Sequence, residues 1–308
     1  MPVMDRLLDR RSFIKGAGLF AAGIGLTPSE SVAGPVTRAK NAAPEVDRLG
    51  WRLACHSYSF RQFSLREAIT KTASLGLRHI GSYPTQILSP EQPGVQVTAA
   101  LPAGIRREIK QWLADAGLAL VHFGVCGFDQ GVDGFRAVFD FAAELGIEAI
   151  IAEPPETAFD ALERLCDEYR IDLAIHNHPE KAKNSRYWHP DIVMKHCSGR
   201  SRRIGACADT GQWARSNLNP VECLRKLEGR LLASHFKYMN ELGPRGHCVP
   251  LGAGVCDVRG MLATVHRQRA RPVFAIEHEF NWSNNLPEIA ESVRYFNAAA
   301  AALMDRRF

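Results

Sequence analysis

The chain has 308 residues, 46% of them hydrophobic and 23% charged, an ordinary composition for a globular protein and a length that a barrel of ~250 residues would nearly fill. The net charge of +5 is mild, and part of it sits in the first residues and in Arg200, Arg202 and Arg203, so it leaves no basic stripe for nucleic acid. No run of ~20 uninterrupted apolar residues follows the N-terminal region, which excludes a membrane-spanning body.

In chain order the first feature is Asp9-Arg10-Arg11-Ser12-Phe13-Ile14-Lys15, then a weakly hydrophobic Gly/Ala run from Gly16 to Leu26, then Ser31-Val32-Ala33 with small residues where a peptidase would cut. The order of motif, apolar region and cleavage site resembles a twin-arginine export signal. The resemblance implies an exported, periplasmic protein with no membrane insertion after cleavage. Because that route carries folded proteins, it suits one that loads a metal in the cytoplasm. The expected division is therefore a leader over 1–33, a Pro/Ala/charged linker over 34–48 and one folded body over 49–308.

From residue 50 short apolar runs alternate with amphipathic stretches. Eight runs read as strands: Leu53–Ser57, His79–Ser82, Ala119–Phe123, Ala149–Ala152, Leu173–Ile175, Ile204–Ala208, Leu231–Ser234 and Val273–Ile276. They are too short for helices and apolar enough for burial on both faces. Helix starts are marked by the capping box Ser64-Leu65-Arg66-Glu67, by Asn219-Pro220 and by Asp257; Gly76, Gly117 and Gly146 stop helices where positive φ is needed. Eight strand–helix units predict a (β/α)8 TIM barrel. An open doubly wound sheet would need a Gly-rich phosphate turn after the first strand, and Ser57-Tyr58-Ser59-Phe60-Arg61 is not one. The eight cysteines contain no CxxC pair and several fall in apolar patterns, so they read as free buried thiols rather than a disulfide or zinc framework.

The C-terminal ends of barrel strands carry the chemistry of this fold. Here strand four ends in Glu153, strand five in His176-Asn177-His178, strand six in Asp209-Thr210-Gly211-Gln212-Trp213, strand seven in His235-Phe236-Lys237 and strand eight in Glu277-His278-Glu279. A single Asp or His at such a place caps a helix. Five strands in succession bury too many carboxylates and imidazoles to go without a cation. Carboxylate and imidazole donors without thiolate point to Mn²⁺, Co²⁺ or Zn²⁺, with Mg²⁺ the poorer fit.

At these residues the chain resembles the xylose-isomerase-like, endonuclease-IV-like barrels of the sugar phosphate isomerase/epimerase family. The resemblance covers about Trp51 to Phe296. It is carried by the strand-one segment ending in Arg61, by Ala174-Ile175-His176-Asn177-His178-Pro179, by Cys207-Ala208-Asp209-Thr210-Gly211-Gln212-Trp213, by His235-Phe236-Lys237 and by Val249-Pro250-Leu251-Gly252-Ala253-Gly254. It implies metal ligands at His176 (Glu in many relatives), Asp209, His235 and Glu277, with Glu153 as fifth ligand or base. The chain departs from the family pattern at Gly81, Gln212, Tyr238 and Cys248, where relatives tend to carry Glu, His, Asp and Asp.

The implied chemistry is sugar isomerisation or epimerisation by proton abstraction next to a carbonyl, through a metal-stabilised enediolate. Glu153 or Glu277 would take the proton, and Lys237 would protonate or steady an oxygen. His178, Tyr58, Arg61, Trp188, His189, Trp213, Arg215 and Trp282 would line a carbohydrate pocket. Elimination from a 3-keto-glycoside could use the same site, and a non-catalytic metal-containing sugar-binding protein is the reading from another class. DNA phosphodiester cleavage is disfavoured by export and by the missing basic stripe. Homo-oligomer formation is left open.

Overall fold

In the computed structural model residues 40–305 are described, apart from 129, 130 and 184. The leader and residues 34–39 of the expected linker lie outside the described residues. Eight strands are formed by the apolar runs: β1 (Arg52–His56), β2 (His79–Ser82), β3 (Ala119–Cys126), β4 (Ala149–Ala152), β5 (Asp172–His176), β6 (Ile204–Asp209), β7 (Leu231–Phe236) and β8 (Val273–Ile276). They close into a barrel in which every neighbouring pair is parallel and β8 pairs with β1. The fold is the expected (β/α)8 barrel.

The helices cover the outside of the strands and bury the large apolar side chains between the two layers. The barrel interior is filled by mostly small residues: Ala149, Ala174, Cys207 and Ala233 around Ile151 in one cluster, and Ala54, Val121, Val273 and Ala275 in another. Small interior side chains leave volume at the mouth for polar ones. All eight cysteines are buried free thiols.

The local signals operate as their chemistry requires. Ser64 Oγ accepts from the Glu67 amide at 3.3 Å while Glu67 Oε2 accepts from the Ser64 amide at 2.9 Å. Asn219 and Asp257 cap their helices through Val221 and Gly260. Gly117 and Gly146 end theirs in the left-handed conformation.

Three local differences matter. Pro44–Arg48, expected as linker, form a short helix with Val46 buried and the Glu45 amide bonded to Asn297 at 2.9 Å. Proline at the first turn and one apolar residue facing the body suffice for that. Ile87–Ser89 and Gln92–Gln96 pair as an antiparallel hairpin between β2 and the next helix, too short and too polar to register as strands. Ser57, read as the end of strand one, instead begins a 3-10 turn, Ser57–Phe60, capped by the His56 ring.

Candidate metal centre

Register places the polar strand ends at one level. Asp209 on β6 lies opposite His235 on β7, and on the other side of the ring His56 on β1 lies opposite Gly81 on β2, which in turn lies opposite His122 on β3. Above them opens a cavity of about 430 Å³ lined by His176, His178, His235, Lys237, Glu277 and Glu279, with Tyr58 and Tyr83 on one wall.

Lys237 is the hub. Its buried ammonium lies 2.8 Å from Asp209 Oδ2, 2.9 Å from Glu277 Oε2 and 2.6 Å from Glu279 Oε1. Burial opposes its charge, but the three carboxylates outweigh that and hold its pKa well above the ordinary range. Burial likewise opposes ionisation of Asp209 and Glu277, and Lys237 outweighs it to keep both well below the ordinary carboxylate range. Arg215 adds a second cation, 3.0 Å from Glu279. The cation that so many buried carboxylates demand is thus supplied in part by the chain itself.

On the β4–β5 side Glu153 Oε1 accepts from His176 Nδ1 at 2.8 Å and is also bonded to His178 Nδ1. The other His176 nitrogen lies 3.3 Å from Asp209 Oδ2. Burial alone would lower the His176 pKa, yet its two carboxylate partners raise it to about 9. Burial alone would raise Glu153, yet the two imidazoles hold it at about 2. Asp209 is fixed further by Oδ1, which caps the helix Thr210–Arg215 through the Gln212 amide at 2.9 Å, and by Asn177, whose side-chain amide bonds both backbone groups of Asp209. Thr210 ties the Lys237 backbone in the same two-sided way.

Toward β8 and β1 the pairing thins. His235 Nδ1 and His56 Nδ1 lie 3.1 Å from the two oxygens of Glu277, but His56 Nε2, both His235 nitrogens and Glu277 Oε2 have no aligned hydrogen-bond partner. Burial holds His235 at about 4, although Glu277 acts in the opposite sense. Bare, buried imidazole nitrogens beside carboxylates are the donor set a divalent cation satisfies, so the residues fit the expected metal. Three groups of donors lie close enough to hold one: His176, Asp209 and His235; Glu153, His176 and His178; and His56, His235 and Glu277.

All five expected ligands, His176, Asp209, His235, Glu277 and Glu153, are therefore gathered in one connected cluster. Among the expected pocket residues, Tyr58 and His178 line the cavity. Arg61 lies at the rim with its guanidinium 4.0 Å over the Trp282 ring. Trp213 is buried in the core rather than facing the cavity. His189 caps the helix Pro190–Cys197 and Trp188 packs against it, so neither lines the cavity. Arg215 reaches the site only through Glu279 and Gln212.

Two functional positions, His56 and His122, escape the sequence reading, and Asn177 and Glu279 stand in its strand-end motifs without a role of their own. His56 stands at a strand end and could have been found by the rule applied to strands four to eight. At the departures from the family pattern, Gln212 lines the cavity and Gly81 makes room for His56. Tyr238 bonds the Gly254 carbonyl at 2.9 Å, and Cys248 is a buried thiol raised to about 12 by burial.

Residues 69–299 match the family described as xylose isomerase-like TIM barrel. Among solved structures, an uncharacterized protein from Parabacteroides distasonis is 25% identical, with 80% of this chain and 97% of that one covered at a TM-score of 0.64. A xylose isomerase-like TIM barrel protein from Mycobacterium smegmatis, solved in complex with magnesium, is 17% identical, with coverage of 82% and 97% and a TM-score of 0.65. An L-ribulose 3-epimerase is 14% identical, with coverage of 83% and 99% and a TM-score of 0.60. No curated protein matches in sequence.

Proposed function

The chain belongs to the xylose isomerase-like TIM barrel family, and on that premise we propose that it is a metal-dependent isomerase or epimerase of a free or oxidised sugar. The observation that carries this reading is a cavity walled on opposite sides by acid–base groups. His178 beyond β5, with Glu153 behind it, and Glu277 and Glu279 beyond β8 stand three strands apart in a closed ring of eight. Removing a proton from one face of a sugar carbon and returning one elsewhere needs groups placed that way.

His176, Asp209 and His235 would hold the cation, Mn²⁺, Co²⁺ or Zn²⁺ before Mg²⁺, and when bound there it supplies a Lewis acid for negative charge developing on a substrate oxygen. His178 faces the cavity, whereas Glu153 lies behind it with one oxygen shared between two imidazoles. His178 is therefore the proton-taking group on that wall and Glu153 its positioning residue, a reassignment of the base from Glu153. Glu279, tied to Lys237 and Arg215, serves the opposite wall. The similarity to an L-ribulose 3-epimerase supports the class. Arg10-Arg11 and the run behind it support export, which disfavours phosphorylated substrates.

A second reading, β-elimination from a 3-keto-glycoside, is favoured by the Tyr58–Tyr83 wall, where the rings meet edge-on at 5.0 Å and offer an apolar face to an aglycone. One experiment separates the readings. Metal-loaded protein in deuterated water is incubated with ketohexoses, pentuloses and 3-keto-glycosides and followed by NMR. Exchange of the α-hydrogen with sugar interconversion is expected, and His178→Ala should abolish exchange while keeping the metal. Exchange with aglycone release identifies the lyase; binding without exchange across the panel overturns both in favour of a non-catalytic sugar-binding protein.

A further inference from the structure

We propose that the substrate is a sugar acid, whose carboxylate is taken by the Arg61 guanidinium at the rim of the cavity. The proposal rests on the sugar reading above and names a group that the sugar carries.

Arg61 follows the 3-10 turn Ser57–Phe60 beyond β1, at the C-terminal end of the strands. The residue is exposed, yet its guanidinium is held in place. The guanidinium carbon lies 4.0 Å over the Trp282 ring and 5.7 Å from the centre of the Tyr58 ring, and Nη1 donates to the Tyr58 hydroxyl at 3.2 Å. None of these partners is an anion. Tyr58 itself lines the cavity, so the hydrogen bond fixes the guanidinium at the cavity's edge. Stacked on an indole, the planar group keeps its remaining N–H donors free, in the fork that matches the two oxygens of a carboxylate. The side-chain freedom that such a contact costs is already lost before a ligand arrives.

Charge around the mouth points the same way. Inside the cavity Glu153 is shared by His176 and His178, Asp209 and Glu277 meet Lys237, and Glu279 meets Lys237 and Arg215. These four carboxylates are matched by Lys237, Arg215 and the divalent cation proposed above, so the rim sets the sign that a ligand meets. Beyond β5, four strands from β1 in the ring of eight, Arg186 is exposed and donates to the Glu153 carbonyl at 3.3 Å. The same loop exposes Lys181 and Lys183 against one carboxylate, Glu180. Positive groups on opposite sides of the mouth draw an anionic ligand toward it, and salt screens that attraction. A phosphate would answer the same fork, and the export reading favours the carboxylate over it.

The test is a calorimetric titration of the metal-loaded whole chain. The ligands are glucuronate, galacturonate and their ketose isomers, the matching neutral hexoses and ketohexoses, and the hexose phosphates. Binding needs no turnover, so the result stands apart from whether an α-hydrogen exchanges. At low salt at least one acid should bind about tenfold or more tightly than its neutral counterpart. Arg61→Gln should erase that preference, and added salt should shrink it. The proposal is overturned if no acid binds better than its neutral counterpart, if the phosphates bind more tightly than the acids, or if the preference survives in Arg61→Gln. Exchange of the α-hydrogen in a neutral sugar, with no preference for acids, would leave the isomerase reading standing and remove this one.

Discussion

The two sides of the barrel mouth bury the same kinds of side chain in opposite ways. From β4 to β7 every carboxylate has a cationic or imidazole partner: Glu153 with His176 and His178, Asp209 with His176 and Lys237. From β1 to β3 the mouth holds His56, Gly81 and His122 at one level, and His122 has no partner on either nitrogen. Burial, followed by repulsion from His235 and His56, keeps His122 well below the ordinary histidine range, hence neutral. The comparison teaches that a charge buried in this barrel is retained where a counter-charge is within about 3 Å, and that where none is available the donor stays neutral and bare. Glu277 sits at the seam, paired to Lys237 on one side and facing the His56 and His235 rings on the other.

The paired side is broken most severely at its hub. Lys237→Met removes the ammonium from three carboxylates at once, and stripping one partner from a buried pair costs about 3–5 kcal/mol. The expected outcome is a drop of that order in the urea stability of the chelated protein, partly recovered when Mn²⁺ or Zn²⁺ supplies the missing charge. An unchanged unfolding midpoint would mean that Asp209, Glu277 and Glu279 are not held by Lys237. The same variant should bind metal more tightly than wild type, since the cation no longer competes with the lysine.

The unpaired side is tested by volume rather than charge. Gly81→Ala drives a methyl into the His56 ring, and overpacking of this kind costs about 1–3 kcal/mol. Gly94, with nothing within 4 Å of its would-be Cβ, provides the control, because Gly94→Ala should stay within about 0.5 kcal/mol. Thermal melts of the two variants compare them directly. Equal stability would mean that His56 can leave its place freely, which would also weaken the case for it as a ligand.

Most of the fold is legible because it rests on local rules. Apolar runs such as Ala149–Ala152 and Val273–Ile276 coincide with strands residue for residue, since strands buried on both faces have nothing else to be. The paired side of the site is legible for a related reason: carboxylates and histidines at successive strand ends stand out against apolar sequence. What sequence conceals is who pairs with whom. Lys237 reads as a group that protonates or steadies a substrate oxygen, and its three carboxylate partners appear only when the barrel closes and brings β6 and β8 to either side of it. Trp213 reads as pocket lining four residues from Asp209, yet the helix that Asp209 caps turns it into the core. His56 ends its strand as the other site residues do, whereas His122 is hidden inside an apolar run, and only register reveals that Gly81 separates them.

The smallest effect expected is a pH dependence in which the two sides act with opposite sign. His176 has an ordinary value of 6.5 and is raised to about 9 in the fold, so its contribution is complete below pH 6.5 and is lost as pH rises through 9. His235, lowered to about 4, and His122, lowered well below 6.5, favour the neutral form. Their contribution is complete above pH 6.5 and is lost as pH falls toward 4. The chelated protein should therefore show its highest urea midpoint near pH 6.5, with an alkaline limb from the paired side and an acid limb from the unpaired side. His176→Gln should flatten the first limb. His122→Leu should flatten the second, because an apolar side chain of similar size leaves no bare nitrogen behind. Added Zn²⁺ should shrink the alkaline limb as well, since a metal takes the neutral ring and binds better as pH rises. A midpoint that stays level from pH 6.5 to 9 in the metal-free wild type would show that His176 is not the charged bridge between Glu153 and Asp209, and the contrast between the two sides would then rest on packing alone.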